Sequence, residues 1–147
     1  MTVHELTEAE CLDVLSHASI GRLACARDGQ PYVVPISFHF DGTASLFGFS
    51  TIGQKIHWMR ENPKVCLEVD DVADRFHWST VIVTGTFEEM AASARKGDDA
   101  RRAFDLLQQR SQWWLPATAE VAGRHDQRSV VLFRIRIRAV SGRRSAA

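Results

Sequence analysis

Apolar and polar positions change rhythm several times along this chain, and each change marks an element. Cys11, Leu12 and Leu15 recur at helical spacing behind Thr7 and Glu10, a pair with the spacing of a capping box. The pattern predicts a short amphipathic helix over residues 7–17. From Ile20 the apolar residues crowd into short runs separated by turn residues, as strands do. Residues 21–26, 32–40 and 43–49 predict three strands, with Asp28-Gly29 and Asp41-Gly42 as the turns between them. A short helix is expected to follow, beginning around Lys55 and ended by Asn62-Pro63. Residues 65–69 predict a fourth strand and 70–74 a polar connection. Residues 78–88 predict a long fifth strand rich in β-branched side chains, in which Gly85 marks a bulge or bend. Ala103, Phe104, Leu106 and Leu107 give helical spacing to residues 91–109. The last strand, 129–140, alternates strictly: Phe133, Ile135 and Ile137 on one face, Arg134, Arg136 and Arg138 on the other. That arginine row predicts the solvated face of an edge strand, and residues 141–147 predict a loose tail.

Tight Asp-Gly turns force antiparallel pairing, so the first three strands form a meander and a layered α/β fold is disfavoured. Six short strands with inserted helices predict a mainly β (α+β) architecture, a small six-stranded antiparallel β-barrel with peripheral helices. At 147 residues, without a linker or repeat, the chain is expected to be one domain, 1–147.

Composition mostly excludes. The formal net charge is +0, which gives no long footprint for nucleic acid or for a membrane surface. No apolar run approaches the roughly 18 residues that span a bilayer. His4, Glu5, Glu8 and Glu10 make the first ten residues unlike a secretory leader. The three cysteines, Cys11, Cys25 and Cys66, are far apart and odd in number, as reduced thiols of a cytoplasmic protein would be. The six histidines lack metal-ligand spacing, so no metal site is expected, and no Ser or Cys sits in a nucleophile elbow. His57 and Glu61, four apart, are expected to pair on the helix surface.

Positive chemistry is concentrated in residues 48–63. Ser50, Thr51, Gly53 and Lys55 stand where a strand runs into a helix. Free backbone N–H groups, the positive end of the helix dipole and a lysine together suit a phosphate. The competing reading is an ordinary helix start with a solvated lysine; the segment is no Walker loop, because the glycine-rich run is missing. Pro35 lies within an apolar strand and requires an edge, a bulge or an approaching group. Trp58, Trp78, Trp113 and Trp114 are core or interface residues by default, with stacking on an aromatic cofactor as the sharper alternative.

In order along the chain stand Gly21-Arg22-Leu23-Ala24, then 29–38 with Val33-Val34-Pro35-Ile36-Ser37, then 48–66 with Gly53-Gln54-Lys55 and Asn62-Pro63, then Trp78-Ser79-Thr80 before Gly85. In this order and spacing the chain resembles the pyridoxamine 5′-phosphate oxidase-like FMN-binding split-barrel family, nearest its small bacterial branch with nitroimidazole-resistance-type relatives. The resemblance implies a split barrel with Greek-key character and a homodimer holding two FMN molecules between subunits. It implies an oxidoreductase acting on a small organic substrate. By motif position, Val34, Pro35, Ile36 and Ser37 would lie along the flavin ring and ribityl chain, and Phe49 and Ser50 near the ribityl and ring region. Gly53, Gln54 and Lys55 would hold the phosphate, Ser79 and Thr80 would reach the pyrimidine edge, and Trp114 would approach the partner's flavin. Authentic oxidases of pyridoxamine phosphate carry further basic residues at the positions of Val34 and Gln54, so that activity is not implied. Gly48 stands where the nitroimidazole-resistance branch often has a histidine. The alternatives within the fold are a non-catalytic, redox-sensing flavin module and a member binding haem or a reduced deazaflavin coenzyme.

Overall fold

The computed structural model describes residues 1–90, 98–109 and 130–146. Within them the elements run β1 (Thr2–Glu5), α1 (Glu8–His17), β2 (Ile20–Arg27), β3 (Gln30–Ser37), β4 (His39–Phe40), β5 (Ser45–Thr51), α2 (Gln54–Glu61), β6 (Lys64–Asp74), β7 (His77–Glu89), α3 (Asp98–Gln109) and β8 (Val130–Ala146). No helix among the described residues is long and apolar enough to cross a membrane.

The local signals act as expected. Thr7 Oγ1 accepts from the Glu10 N–H at 3.2 Å and Glu10 Oε1 from the Thr7 N–H at 3.1 Å, closing the capping box that starts α1. Cys11 and Leu15 turn inward from that helix. Asp28 and Gly29, at φ 50° and 79°, form the two-residue turn between β2 and β3. At the next turn the Asp41 carboxylate accepts from the N–H groups of Thr43, Ala44 and Ser45 at 2.9–3.1 Å. These bonds pull its pKa down although burial opposes them.

All strand pairings are antiparallel. The ladder order is β3-β2-β6-β7-β8-β5-β4, with β1 added on β8. Only Phe38 separates β3 from β4, so the chain itself links the two ends of this order and the sheet curls back on itself. The expected second strand, 32–40, is therefore one bent strand that pairs with β2 along β3 and with β5 only through His39 and Phe40. Counted so, six strands make the split barrel and β1 is an addition the sequence reading missed. Leu23, Phe38, Leu46, Leu67, Val83, Phe133 and Ile135 fill the interior. A second, smaller cluster puts Ala103 and Leu107 of α3 on Phe47 and Leu132.

Two glycines are demanded by close approach. A Cβ on Gly48 would lie 2.7 Å from Phe133 Cζ, and one on Gly85 would lie 2.6 Å from the Arg136 carbonyl oxygen. Gly85 also marks a register shift against β8, the bulge expected from its place in the strand.

Four expectations are corrected. Residues 70–74 are strand, not connection: Asp70, Asp71 and Val72 keep pairing with Thr80, Ser79 and Trp78. Their polarity reflects exposure, since ladder bonds are made by backbone whatever the side chain. Residues 141–146 are no tail, because β8 continues between β7 and β1, with the Leu6 N–H donating to the Gly142 carbonyl at 2.9 Å. The arginine row lies on a central strand, where Arg134 and Arg136 share Glu88 at 2.6 and 3.1 Å and Arg138 donates to Thr86 Oγ1. Glu61 pairs with Arg27 at 3.6 Å rather than with His57.

Candidate functional site

The start of α2 is built like a seat for an anion. Its N-cap is Gly53, in extended conformation and without a side-chain capping bond, and a Cβ there would meet nothing within 4 Å. The first-turn N–H groups therefore receive no side-chain acceptor from the cap, which leaves them for water or a ligand. The helix itself is held firmly. Ile56 and Met59 are fully buried, and Asn62 Nδ2 donates to the Ala26 carbonyl at 3.1 Å. The Trp58 ring packs against Tyr32, with centroids 5.6 Å apart, and carries the Arg27 guanidinium over it at 5.0 Å. Arg60 reaches across to Glu89 with two bonds of 2.9 and 2.7 Å.

Lys55 occupies the first turn of this fixed helix. Its side chain is half-buried and forms no ion pair with any described residue. Burial pushes its ammonium below the usual lysine value, and the neighbouring Cys25 thiol opposes that only weakly. Cys25 itself is driven up by burial, with Lys55 pulling the other way. A sheltered ammonium with no acidic partner among the described residues, beside helix N–H groups without a side-chain cap, is an arrangement that an anion would complete.

The other expected residues fall into distinct settings. Val34 and Ile36 point into the core opposite Leu23 and Gly21, so only their backbone can meet a ligand. Pro35, on β3, faces outward opposite Arg22; among the described residues β3 pairs only with β2, which satisfies the edge that the proline requires. Ser37 is buried and its hydroxyl donates to the Ser19 carbonyl at 3.4 Å. Phe49 packs edge-on against Phe104, and Ser50 donates to the Thr51 carbonyl at 2.9 Å. Gln54 is exposed. Trp114 lies outside the described residues, as does Trp113.

Ser79 and Thr80 stand apart from this group. Lys55 is near Cys25, at the level where Val65 faces Gly85, whereas Ser79 is six residues further along β7. That is about 20 Å within one chain. Buried Ser79 accepts from Arg144 Nε at 2.8 Å and lines a cavity of about 500 Å³ with His17, Arg22, Asp70 and Arg144. Thr80 faces outward between Asp70 and Arg143.

Sequence reading missed three features. Arg144 lay in the supposed tail. Glu68 has a buried carboxylate oxygen, Oε1, without a hydrogen-bond partner among the described residues. Burial, then the adjoining Asp70, raises its pKa, with Arg22 opposing. A groove of about 770 Å³ runs along the outer face past Ala24, Cys66, Lys64 and Arg138. None of these carries a local motif; each depends on which strands become neighbours.

Residues 7–144 match the family model described as pyridoxamine 5′-phosphate oxidase. A crystal structure of a FAD-binding protein from Mesorhizobium loti is 37% identical and superposes with a TM-score of 0.84, covering 100% of this chain and 99% of that one. An uncharacterised protein of Rhizobium meliloti (strain 1021) is 40% identical over 116 residues, 79% of this chain and 76% of its own length. A Bacteroides thetaiotaomicron protein assigned to 5-nitroimidazole antibiotic resistance shares the fold at TM-score 0.66 and 18% identity, covering 97% of this chain and 89% of that one.

Proposed function

The chain belongs to the pyridoxamine 5′-phosphate oxidase family, and from that premise we propose that it is a flavin-binding oxidoreductase acting on a small organic substrate. The observation that carries this reading is Lys55, half-buried beside an uncapped helix start and without an acidic partner among the described residues. Lys55 and the first-turn N–H groups of α2 hold the flavin's phosphate. The edge backbone around Pro35 supplies donors and acceptors to the flat ring, because Val34 and Ile36 turn their side chains away from it. When bound, the flavin supplies hydride transfer, and the chain binds, orients and shields it. Gln54 leaves only one cation in this turn, so pyridoxamine phosphate is not the proposed substrate. The similarity to a FAD-binding relative supports a flavin without choosing between FMN and FAD.

The functional unit is a homodimer. Ser79 and Thr80, about 20 Å along β7 from the Lys55 level, reach the same flavin only when they come from a second copy. Val3, Val72 and Ile82 are 47%, 61% and 40% exposed and share the outer face with Thr80. The unpartnered Glu68 oxygen lies on that face, opposite Arg22 and Ile82, where a donor from a partner would satisfy it.

The test is an absorbance spectrum of the purified protein with mass analysis of the extracted cofactor. Flavin bands near-stoichiometric with chain, or restored on adding FMN or FAD, are expected. A haem Soret band, or a deazaflavin mass, would replace the flavin assignment, and a protein that stays colourless with added flavin would end it.

A further inference from the structure

Where β2 leaves β6 the barrel wall opens. The two strands pair only at Ala24–Cys66, Leu23–Leu67 and Arg22–Glu68, whereas β6 goes on pairing with β7 as far as Asp74. From Val69 onward, the backbone groups of β6 that point away from β7 have no strand partner among the described residues. The cavity of about 500 Å³ that Ser79 and Arg144 line lies at this opening, with Ile20 of β2, Val69 and Asp71 of β6 and Val14 of α1 around it. A smaller cavity of about 210 Å³ adjoins it and shares Asp71, Ser79 and Arg144.

Register sets those three residues in one row across β6, β7 and β8. Neighbouring strands lie about 4.8 Å apart, so the backbones of Asp71 and Arg144 are separated by about 10 Å, with the serine between. Arg144 leans toward the middle of the row. Its Nε donates to Ser79 Oγ at 2.8 Å and its Nη1 to Glu10 Oε2 at 3.4 Å, which leaves Nη2 without an acceptor among the described residues. The Asp71 carboxylate has no hydrogen bond or ion pair with a described residue. The other acids lining the cavity do: Asp13 faces His17 at 3.7 Å and Asp70 faces Arg22 at 4.0 Å. One free carboxylate and one free guanidinium edge therefore line the same space, and Val14, Ile20 and Val69 give it an apolar wall.

A simple anion or a simple cation would meet a like charge here as well as an opposite one. A single carbon bearing both an ammonium and a carboxylate satisfies the two sides together. We propose that this cavity binds a free α-amino acid with an apolar side chain. The ammonium sits on Asp71, the carboxylate on Arg144, and the side chain against Val14, Ile20 and Val69. All of these groups belong to one chain, so the inference does not rest on the flavin reading. Thr80, the residue after Ser79, turns to the opposite face and stays available to the dimer contact.

The experiment is calorimetry on the full-length protein with L-valine, L-leucine and L-phenylalanine. Each is measured beside the analogue that lacks its ammonium and the one that lacks its carboxylate. At least one amino acid should bind, and both of its analogues at least about tenfold more weakly, the ratio one charge-assisted hydrogen bond supplies. Asp71 is exposed and unpaired among the described residues, so Asp71→Asn is expected to fold, which thermal unfolding checks. That variant should bind the amino acid about tenfold more weakly and no longer distinguish it from the deaminated analogue. The binding should be the same in flavin-stripped protein; binding that requires the flavin would place the ligand elsewhere and overturn the assignment. So would no binding of any of the three at about 10 mM, or equal affinity for an amino acid and its deaminated analogue. An Asp71→Asn variant with wild-type affinity would overturn it too, and the analogue comparison on wild type decides alone should the variant unfold.

Discussion

Replacing Lys55 with methionine removes the ammonium but keeps most of the buried stem, so charge and packing are separated. If the ammonium holds a phosphate, its loss removes a charge-assisted hydrogen bond contributing about 1.5–3 kcal/mol. At about 1.4 kcal/mol per decade that is a roughly 10- to 150-fold weaker flavin affinity. The ligand-free protein should respond in the opposite direction. Burial holds the folded pKa of Lys55 below its usual 10.5, so the fold disfavours the charged form. Between the depressed value and 10.5 the unfolded chain binds the additional proton, and stability rises with pH across that window. Below the window the penalty is complete, so at neutral pH the methionine variant should melt at the same temperature as wild type or higher. Flavin fluorescence titration and thermal unfolding of the stripped protein measure the two effects. Unchanged flavin affinity in Lys55→Met would refute the anion seat. A lower melting temperature without ligand would mean that the ammonium already has a stabilising partner.

Gly85→Ala should cost about 1–3 kcal/mol in a denaturant titration, because its Cβ would meet the Arg136 carbonyl oxygen and Ile135 Cγ2 at 2.6 Å; an unchanged midpoint would contradict the close approach of β7 and β8. Thr7→Ala should cost about 1 kcal/mol by removing the cap of α1, measured in the same way. Glu88 is held below its usual 4.5 by Arg136 and Arg134. Its contribution is therefore present above 4.5 and lost as pH falls through the depressed value, so the stability gap between wild type and Glu88→Gln should close on acidification. Ile82→Asp places a charge beside the unpartnered Glu68 oxygen on the outer face, and sedimentation should show monomers where wild type shows dimers.

Much of the fold was legible because its punctuation is local. A capping box, two Asp-Gly turns and an Asn-Pro helix stop each act within four residues, and each lies where the sequence put it. What failed was polarity used as a guide to strand ends. Asp70, Asp71 and Asp74 read as a loop because they are charged, and Ser141, Gly142, Arg143 and Arg144 as a tail because they are polar. The end of the β6–β7–β8–β1 ladder carries polar side chains on both faces, even where Ser79 and Ser145 are buried, so it shows no apolar alternation. Its strand character comes from the ladder with β7 and from β1, a partner more than 130 residues away in sequence. The same blindness made β8 look like an edge, since a row of arginines is equally compatible with solvent and with Glu88 on the next strand.

The parts of the proposed binding site differ in legibility for the same reason. The phosphate seat depends on one segment, where Gly53 and Lys55 lie two residues apart at a helix start, and both the residues and their spacing are written in the chain. The outer face depends on strands meeting in one register, which sets Glu68 of β6 opposite both Arg22 of β2 and Ile82 of β7. No local pattern shows that its Oε1 is buried without a hydrogen-bond partner among the described residues. A one-residue slip of β6 would turn Glu68 to the interior and take that carboxylate off the face altogether, without changing the composition of the strand.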